Sequence, residues 1–431
     1  MLYENIGTTE NGHLSFCNLD TVSLAKKYGT PLYLIDENGV RTRCETYKNA
    51  MNQYFGPGSF PIYASKALSF KGMYRITAEE NIGADVSSGG ELYTAIKAGF
   101  PPEKIFFHGN NKTEAEISMA MGFGIGFFIC DNFWELENIN EIAGKKGIRQ
   151  KVLLRLTPGI DPHTLEAIST GKVDSKFGVA IETGQAEQFV KLALDLENID
   201  LKGYHSHVGS QVFDGKSFVD AAEILLCFAE KIKETYGYTP EYLDLGGGMG
   251  VPYFDKDGRI DYVLEIKLIA EKLKAQCKKF NLSMPNIILE PGRSIVADNG
   301  ITLYTVGGRK EIPGFKNYIS IDGGMTDNPR YALYGAIYTV LLANRIKEKP
   351  NYVCTVAGRC CESGDLIQEN VSLPRPERGD IIAVLTTGAY NYSMASNYNR
   401  VPRPPVVMIK DGVDYLAVKR ESFDDLIRND L

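Results

Sequence analysis

The feature that most constrains the fold is a rhythm. Short apolar segments rich in β-branched and aromatic residues fall at residues 62–65, 84–87, 105–107, 126–130, 151–156, 201–206, 242–245 and 286–289, and the stretches between them are helix-sized. Four of these stretches, at residues 112–121, 185–196, 217–235 and 262–280, repeat apolar residues three and four apart, the spacing of one buried helix face. Eight strands alternating with helices predict parallel pairing. An open doubly wound sheet satisfies the same alternation. A closed (β/α)8 TIM-type barrel is preferred because polar, reactive side chains recur just past the strand ends, the rim where such barrels gather their chemistry.

After Glu290 the rhythm changes to strands and turns, at residues 301–306, 318–321, 352–356, 380–385, 406–410 and 415–418, the last two joined by Asp411-Gly412, a hairpin signal. Before the barrel, residues 2–16 read as a hairpin turning at Asn11-Gly12, followed by a helix capped near Asp20 and a strand at 31–35. The expected class is α/β. Residues 1–35 pack with the β-domain, residues 36–290 form the barrel, and residues 291–431 form a C-terminal all-β domain that also takes in the N-terminal strands.

Composition removes several function classes. The net charge of −7 gives no general attraction to nucleic acid or anionic membrane, so any anion site must be local. No apolar run reaches the roughly 18 residues of a membrane helix. The eight cysteines are scattered without CxxC spacing, and the N-terminus lacks a basic stretch leading into an apolar core, which together predict reduced thiols in a soluble, cytoplasmic protein.

The first strand, Pro61-Ile62-Tyr63-Ala64-Ser65, ends on Lys66. Alone, it suits a lysine leaving a sheet for solvent. The other strand ends change that reading. Gly246-Gly247-Gly248 follows the seventh strand, and Glu290-Pro291-Gly292-Arg293 closes the eighth. Glycines let backbone N–H groups approach an anion, the loops after strands seven and eight are the usual phosphate cradle of a barrel, and a guanidinium beside them suits a phosphate or a carboxylate. Glu290 suits three tasks: metal ligand, general base, or partner of a protonated ring nitrogen. Pyridoxal phosphate requires the last, and the lysine, the phosphate site and the acid then form one set.

His205 and His207 alternate along the sixth strand and so face one side. A His-x-His pair can hold zinc in a barrel hydrolase, the rival function, with His108 as the other histidine near the mouth. In the cofactor reading one imidazole stacks on the pyridine, while Gly209 and Ser210 extend the cradle. No metal is expected. Asp85 and Glu91 lie past the second strand, where they orient Lys66 or Arg155, or where the segment simply caps a helix. Cys360 and Cys361 are one buried and one exposed thiol, or Cys361 is a proton donor and Glu362 a cation reader. The loops at residues 327–334 and 388–393 carry Arg330, Tyr334 and Tyr390, which are surface residues or complete a site.

Tyr-Ala-x-Lys-Ala at 63–67, Asp-Val-x-Ser-x-Gly-Glu at 85–91, His-x-His-Val-Gly-Ser at 205–210, Gly-Gly-Gly at 246–248, Glu-Pro-Gly-Arg at 290–293 and Cys-Glu-Ser-x-Asp at 361–365 together resemble the diaminopimelate decarboxylase family. This family belongs to the barrel-type pyridoxal 5'-phosphate decarboxylases related to ornithine decarboxylase and alanine racemase. The resemblance runs in order along nearly the whole chain. It implies that Lys66 holds the cofactor as a Schiff base, that His207 stacks on its ring, and that Glu290 meets the pyridine nitrogen. It further implies that Ser210, Gly247, Gly248, Pro291, Gly292 and Arg293 surround the phosphate and that Tyr390 touches cofactor and substrate. Arg293, Arg330, Tyr334 and Glu362 read the far end of the substrate, and Cys361 donates the proton. The family shares its active sites across a homodimer, with the Cys361-Glu362 loop coming from the other subunit. Two departures stand out: Leu-Thr-Pro follows Arg155 where relatives often carry an asparagine before the proline, and Cys360 adjoins Cys361.

The expected reaction is decarboxylation of meso-2,6-diaminopimelate to L-lysine. Ornithine, lysine and arginine end in a cationic group alone, whereas diaminopimelate ends in an amino acid and needs both an acid and a guanidinium, which favours the pairing of Arg330 with Glu362. A non-catalytic homologue is disfavoured because lysine, acid and cysteine are all present.

Overall fold

A computed structural model of the chain describes residues 4–159, 175–254 and 257–431. The first residues of the N-terminal hairpin lie outside this set. The chain divides into two units. One consists of Met1–Thr42, Val251–Gly258 and Ile295–Leu431, and the other of Arg43–Gly250 and Arg259–Ser294.

The second unit is the barrel. Its strands are β1 (Phe60–Ala64), β2 (Gly83–Val86), β3 (Ile105–Phe107), β4 (Phe127–Cys130), β5 (Gln150–Thr157), β6 (Ile199–His205), β7 (Tyr242–Asp244) and β8 (Asn286–Leu289). Every neighbouring pair is parallel, β8 returns to β1, and β4 pairs with β5, so the sheet closes. Inward-facing side chains fill the lower barrel with one apolar cluster: Ile62, Phe106, Phe127, Ile129, Leu153 and Ile288, with Phe60 and Tyr242 packed against it. A barrel so filled is a core rather than a channel. The polar inward positions therefore collect at the C-terminal rim.

The helices begin where the sequence supplies caps. Ser88 caps the helix Gly89–Ala98, and Asp261 caps Tyr262–Lys279 through the amide of Leu264. The helix expected from Lys112 instead starts at Glu114, because Thr113 and Glu116 form a capping box. Lys112 itself is buried.

In the other unit a nine-stranded sheet brings the chain ends together. Leu32–Asp36 pairs antiparallel with Gly300–Ile312 and parallel with Val406–Lys410. Its apolar face joins Leu14, Phe16 and Leu24 from the N-terminus to Ile301, Leu303, Ala383 and Val407. The all-β domain thus takes in the N-terminal strands. The predicted turn at Asp411-Gly412 is left-handed at both residues, joining Val406–Lys410 to Val413–Val418. The segment read as a loop at 327–334 contains a short helix, Arg330–Tyr334, ended by Gly335 in the left-handed conformation.

Candidate active site

The register of three strands sets Arg155, His205 and Asp244 side by side on β5, β6 and β7. Asp85 on β2 and His108, Asp131 and Glu290, each just past the end of its strand, complete a ring of polar side chains at the rim. Asp85, His108, Asp131, His205, Asp244 and Glu290 are all buried, so their charges must be balanced locally.

Glu290 is the centre of that balance. Its Oε1 lies 3.0 Å from His108 Nε2 and 3.4 Å from His205 Nε2, and the two imidazoles meet edge to face with centroids 5.2 Å apart. Burial opposes a charge on Glu290, but the two imidazoles outweigh it and hold the carboxyl well below its usual range. The neighbouring acids go the other way: burial, reinforced by the charge on Glu290, pushes Asp244 well up, and burial also raises Asp85. Of these neighbouring carboxyls, Glu290 is the one whose surroundings favour the charged form. Burial pushes His205 down to about 4, so it is a neutral imidazole near pH 7. Arg155 lies 3.8 Å from Asp131 and stacks over Phe177 at 4.3 Å.

Lys66 follows β1 in a single 3-10 turn, Ser65–Ala67. The end of β1 is tied to the loop after β8 by the amide of Ala64, which donates to Pro291 O at 3.2 Å. The Lys66 side chain is exposed while its neighbours Ser65 and Ala67 are buried. Its charge acts on Asp85, Glu91 and His207. Asp85 and Glu91 separate here: Asp85 points into the barrel rim, whereas Glu91 accepts from the Ser87 amide at 2.7 Å at the start of its helix.

The loops after β6 and β7 are zipped together. The Val212 amide donates to Gly248 O and the Gly250 amide to Val212 O, both at 2.9 Å. At Gly247 a Cβ would stand 2.1 Å from Glu290 O, and at Gly248, which is left-handed, 2.1 Å from Gly209 O. No other residue fits at either place. Arg293 donates from Nη2 to Ser210 Oγ at 3.1 Å, joining the loop after β8 to the one after β6. Gly292 leaves no room for a side chain against Ala64 and Ala67. Lys66, His207, Ser210, Gly247, Gly248 and Glu290 through Arg293 therefore belong to one barrel rim.

The expected alternation of His205 and His207 along one strand does not hold. β6 ends at His205, and His207 stands in the following loop with its ring close to Gly246. Among the described residues, the three groups within metal-ligand reach of one another are His108, His205 and Glu290, all within 4.8 Å. His207 is not in that group.

The remaining predicted residues lie in the other unit. Arg330 is buried and donates from Nη1 to Tyr253 Oη at 3.1 Å and Tyr338 Oη at 2.9 Å, its guanidinium 5.4 and 5.9 Å from those ring centres. Tyr334 is half-buried at the end of the same short helix. Tyr390 is half-buried and left-handed, with φ of 60°, a conformation that costs an aromatic residue about 1–2 kcal/mol. Cys360 is buried and its thiol pushed up to about 11, first by burial and then by Asp365. Cys361 and Glu362 are exposed. Asp365 organises this loop: its carboxylate accepts from the Met325 amide at 2.6 Å and the Cys360 amide at 2.7 Å, and it fills the space where Gly324 or Gly358 would carry a Cβ.

The profile of the pyridoxal-binding domain of pyridoxal-dependent decarboxylases matches residues 37–297. A protein of Halalkalibacterium halodurans named diaminopimelate decarboxylase is 47% identical over 97% of this chain and 95% of its own length. The chain belongs to the diaminopimelate decarboxylase family of pyridoxal-dependent decarboxylases. A second member, from Bacillus subtilis, is 44% identical over 98% of this chain and 96% of its own. The crystal structure of the M. jannaschii diaminopimelate decarboxylase in complex with L-lysine superposes with a TM-score of 0.90 at 36% identity, covering 99% of this chain and 98% of that one.

Three residues that sequence reasoning passed over now matter. Asp244 sat inside an apolar strand, where a lone inward acid was the available signal. Tyr253 gave none, since its partner Arg330 is remote in the chain. Lys112 was read as the first residue of a helix, yet it donates to Gly109 O at 2.9 Å, Ile129 O at 2.8 Å and Glu135 Oε1 at 2.7 Å.

Proposed function

We infer that this chain decarboxylates meso-2,6-diaminopimelate to L-lysine and carbon dioxide, the last step of lysine biosynthesis, with pyridoxal 5'-phosphate as cofactor. The observation that carries the reading is identity of 47% along 97% of the chain, which takes in the barrel rim and the Cys361-Glu362 loop alike. The residues fit the cofactor: an exposed amine at a strand end, two glycines whose side-chain space is already filled by backbone, a guanidinium bonded to a serine between two loops, and one buried acid held as the anion.

Bound there, the cofactor supplies an electron sink for the pair released with carbon dioxide. Lys66 holds its aldehyde, and Glu290 keeps a proton on its ring nitrogen. His207 flanks the ring. Ser210, Gly247, Gly248 and Arg293 would take the phosphate on a turn shaped by Pro291 and Gly292, and Tyr390 would touch cofactor and substrate. Arg293, Arg330 and Tyr334 read the distal carboxylate and Glu362 the distal ammonium. Cys361 delivers the proton to the α-carbon; its exposure, against the burial of Cys360, supports this choice between adjacent thiols.

The enzyme acts as a homodimer in which a second copy supplies Cys361 and Glu362, a reading supported by the exposure of both on a loop braced from behind by Asp365. The cytoplasm is its compartment, supported by cysteines that are all free thiols. Among the described residues no helix is long and apolar enough to cross a membrane.

The test is lysine and carbon dioxide release from meso-diaminopimelate, with and without pyridoxal phosphate, beside ornithine, lysine and arginine. Cofactor-dependent lysine formation from diaminopimelate alone is expected. Release from another amino acid alone would overturn the substrate assignment. The grouping of His108, His205 and Glu290 favours one rival, a metal hydrolase, which predicts inactivation by chelators and indifference to hydroxylamine; the cofactor reading predicts the reverse.

A further inference from the structure

The mechanism above gives His108 no task, yet its Nε2 is the nearer of the two imidazole nitrogens to Glu290. It is buried, and the segment that carries it is fixed from both sides. Its amide donates to Val86 O at 2.8 Å, extending the β2–β3 pairing by one residue. Behind it, the ammonium of Lys112 binds Gly109 O, Ile129 O and Glu135 within the protein interior. A buried lysine with three acceptors clamps residues 108–112 to β4 and to the helix Phe133–Lys146, because releasing any one acceptor would strand a charge away from water.

We propose that His108 is a positioning residue for the cofactor's ring nitrogen: with His205 it grips one oxygen of Glu290 and so fixes both the ionisation and the direction of that carboxylate. The inference deepens the reading of Glu290 as the ring-nitrogen partner and rests on it. A carboxylate oxygen with imidazole nitrogens at 3.0 and 3.4 Å is confined in direction by their approach. Without them, the buried acids Asp85 and Asp244 would compete with Glu290 for the available proton, and a protonated Glu290 would no longer hold a proton on the ring. The other charged or titratable groups acting on this carboxyl are Arg155, His207 and the acids just named.

The experiment is titration of full-length apoenzyme with pyridoxal phosphate, together with the pH dependence of the visible absorption of the bound cofactor, for wild type, His108→Ala and His108→Gln. His108→Ala should bind the cofactor about tenfold more weakly, through loss of one close polar contact to a buried charge, and move the spectral midpoint by about one unit. His108→Gln, which keeps an N–H donor, should recover most of both. With the cofactor saturating, KM for diaminopimelate should be unchanged in each variant. Wild-type affinity and midpoint in His108→Ala would overturn the proposal. So would equal cofactor loss in both variants with a lowered melting temperature of the apoenzyme, which is the mark of a structural prop, or stoichiometric zinc bound by the apoenzyme that excess cofactor fails to displace. Glu290→Gln separates the two layers: if it keeps full affinity and an unmoved spectrum, the Glu290 reading fails, whereas an impaired Glu290→Gln beside an unaffected His108→Ala defeats this inference alone.

Discussion

The barrel rim and the β-unit both bury charge, and they neutralise it differently. At the rim, ionisable groups face one another: four carboxyls, two imidazoles and a guanidinium shift one another, and Glu290 is the carboxyl held below its ordinary range. In the β-unit Arg330, Asp365 and Asp327 meet neutral partners, although Glu37 and Asp380 are paired with Arg41 and Arg345. Arg330 rests on two tyrosine hydroxyls, and Asp365 on backbone amides. Asp327 accepts from Tyr304 Oη at 2.5 Å and the Gly324 amide at 3.1 Å, and burial pushes its pKa up to about 7. Facing charges tune the strength of an acid over the widest range, whereas fixed neutral dipoles fix direction and add smaller hydrogen-bond shifts. The first suits a site that must hold a proton on a ring, the second one that must hold an arginine and a loop in place to recognise a substrate.

The largest expected effect breaks the rim. Lys66→Ala should lower turnover at least about a thousandfold, since in the proposed function the amine is a covalent nucleophile that no neighbour replaces; normal turnover without added amine would end the scheme. Arg330→Ala should cost about a hundredfold in kcat/KM for diaminopimelate, from the loss of charge-assisted hydrogen bonds. If the two regions divide the work as described, that variant keeps wild-type affinity for pyridoxal phosphate, measured by titration of the apoenzyme. Asp365→Ala should destabilise the fold by about 1–3 kcal/mol, because the buried Cys360 amide and the half-buried Met325 amide lose their acceptor. It should also lower kcat by freeing the Cys361-Glu362 loop, and denaturant unfolding with steady-state kinetics reads both.

The smallest effect sharpens the contrast. His205 has a folded pKa of about 4 against an unfolded value near 6.5. Between those values the unfolded chain binds a proton that the native state does not, so stability rises with pH across this window and is lost as pH falls through it. The loss is at most about 3 kcal/mol. His205→Gln should flatten the stability curve of the apoenzyme between pH 6.5 and 4. An unchanged slope would show that His205 is not the group being protonated.

Much of this was legible in the residues. The eight barrel strands were readable to within about two residues at each end because apolar runs and capping residues are local signals. The close approach of the glycine run to its neighbouring loops was readable, because glycines directly after a strand leave room for backbone contact. The pairing of His205 with His207 was misread, since alternation assumes a strand that continues, and β6 stops at His205. The residue fixing the Cys361 loop was quoted in a motif without a task, because the amides it binds belong in part to Met325, far away in the chain.

The sequence by itself determined the alternation that requires a barrel, the family, and the identity of the reactive groups at each strand end, all of which depend on spacing along the chain. Only the tertiary structure decided which of those groups face one another. His108, His205 and Glu290 meet because the sheet closes and its register is fixed, Cys361 rather than Cys360 reaches solvent because Asp365 braces the loop, and Arg330 is held because Val251–Gly258 leaves the barrel to join the β-unit. Closure and register arise from contacts between residues remote in sequence, and no local pattern encodes them.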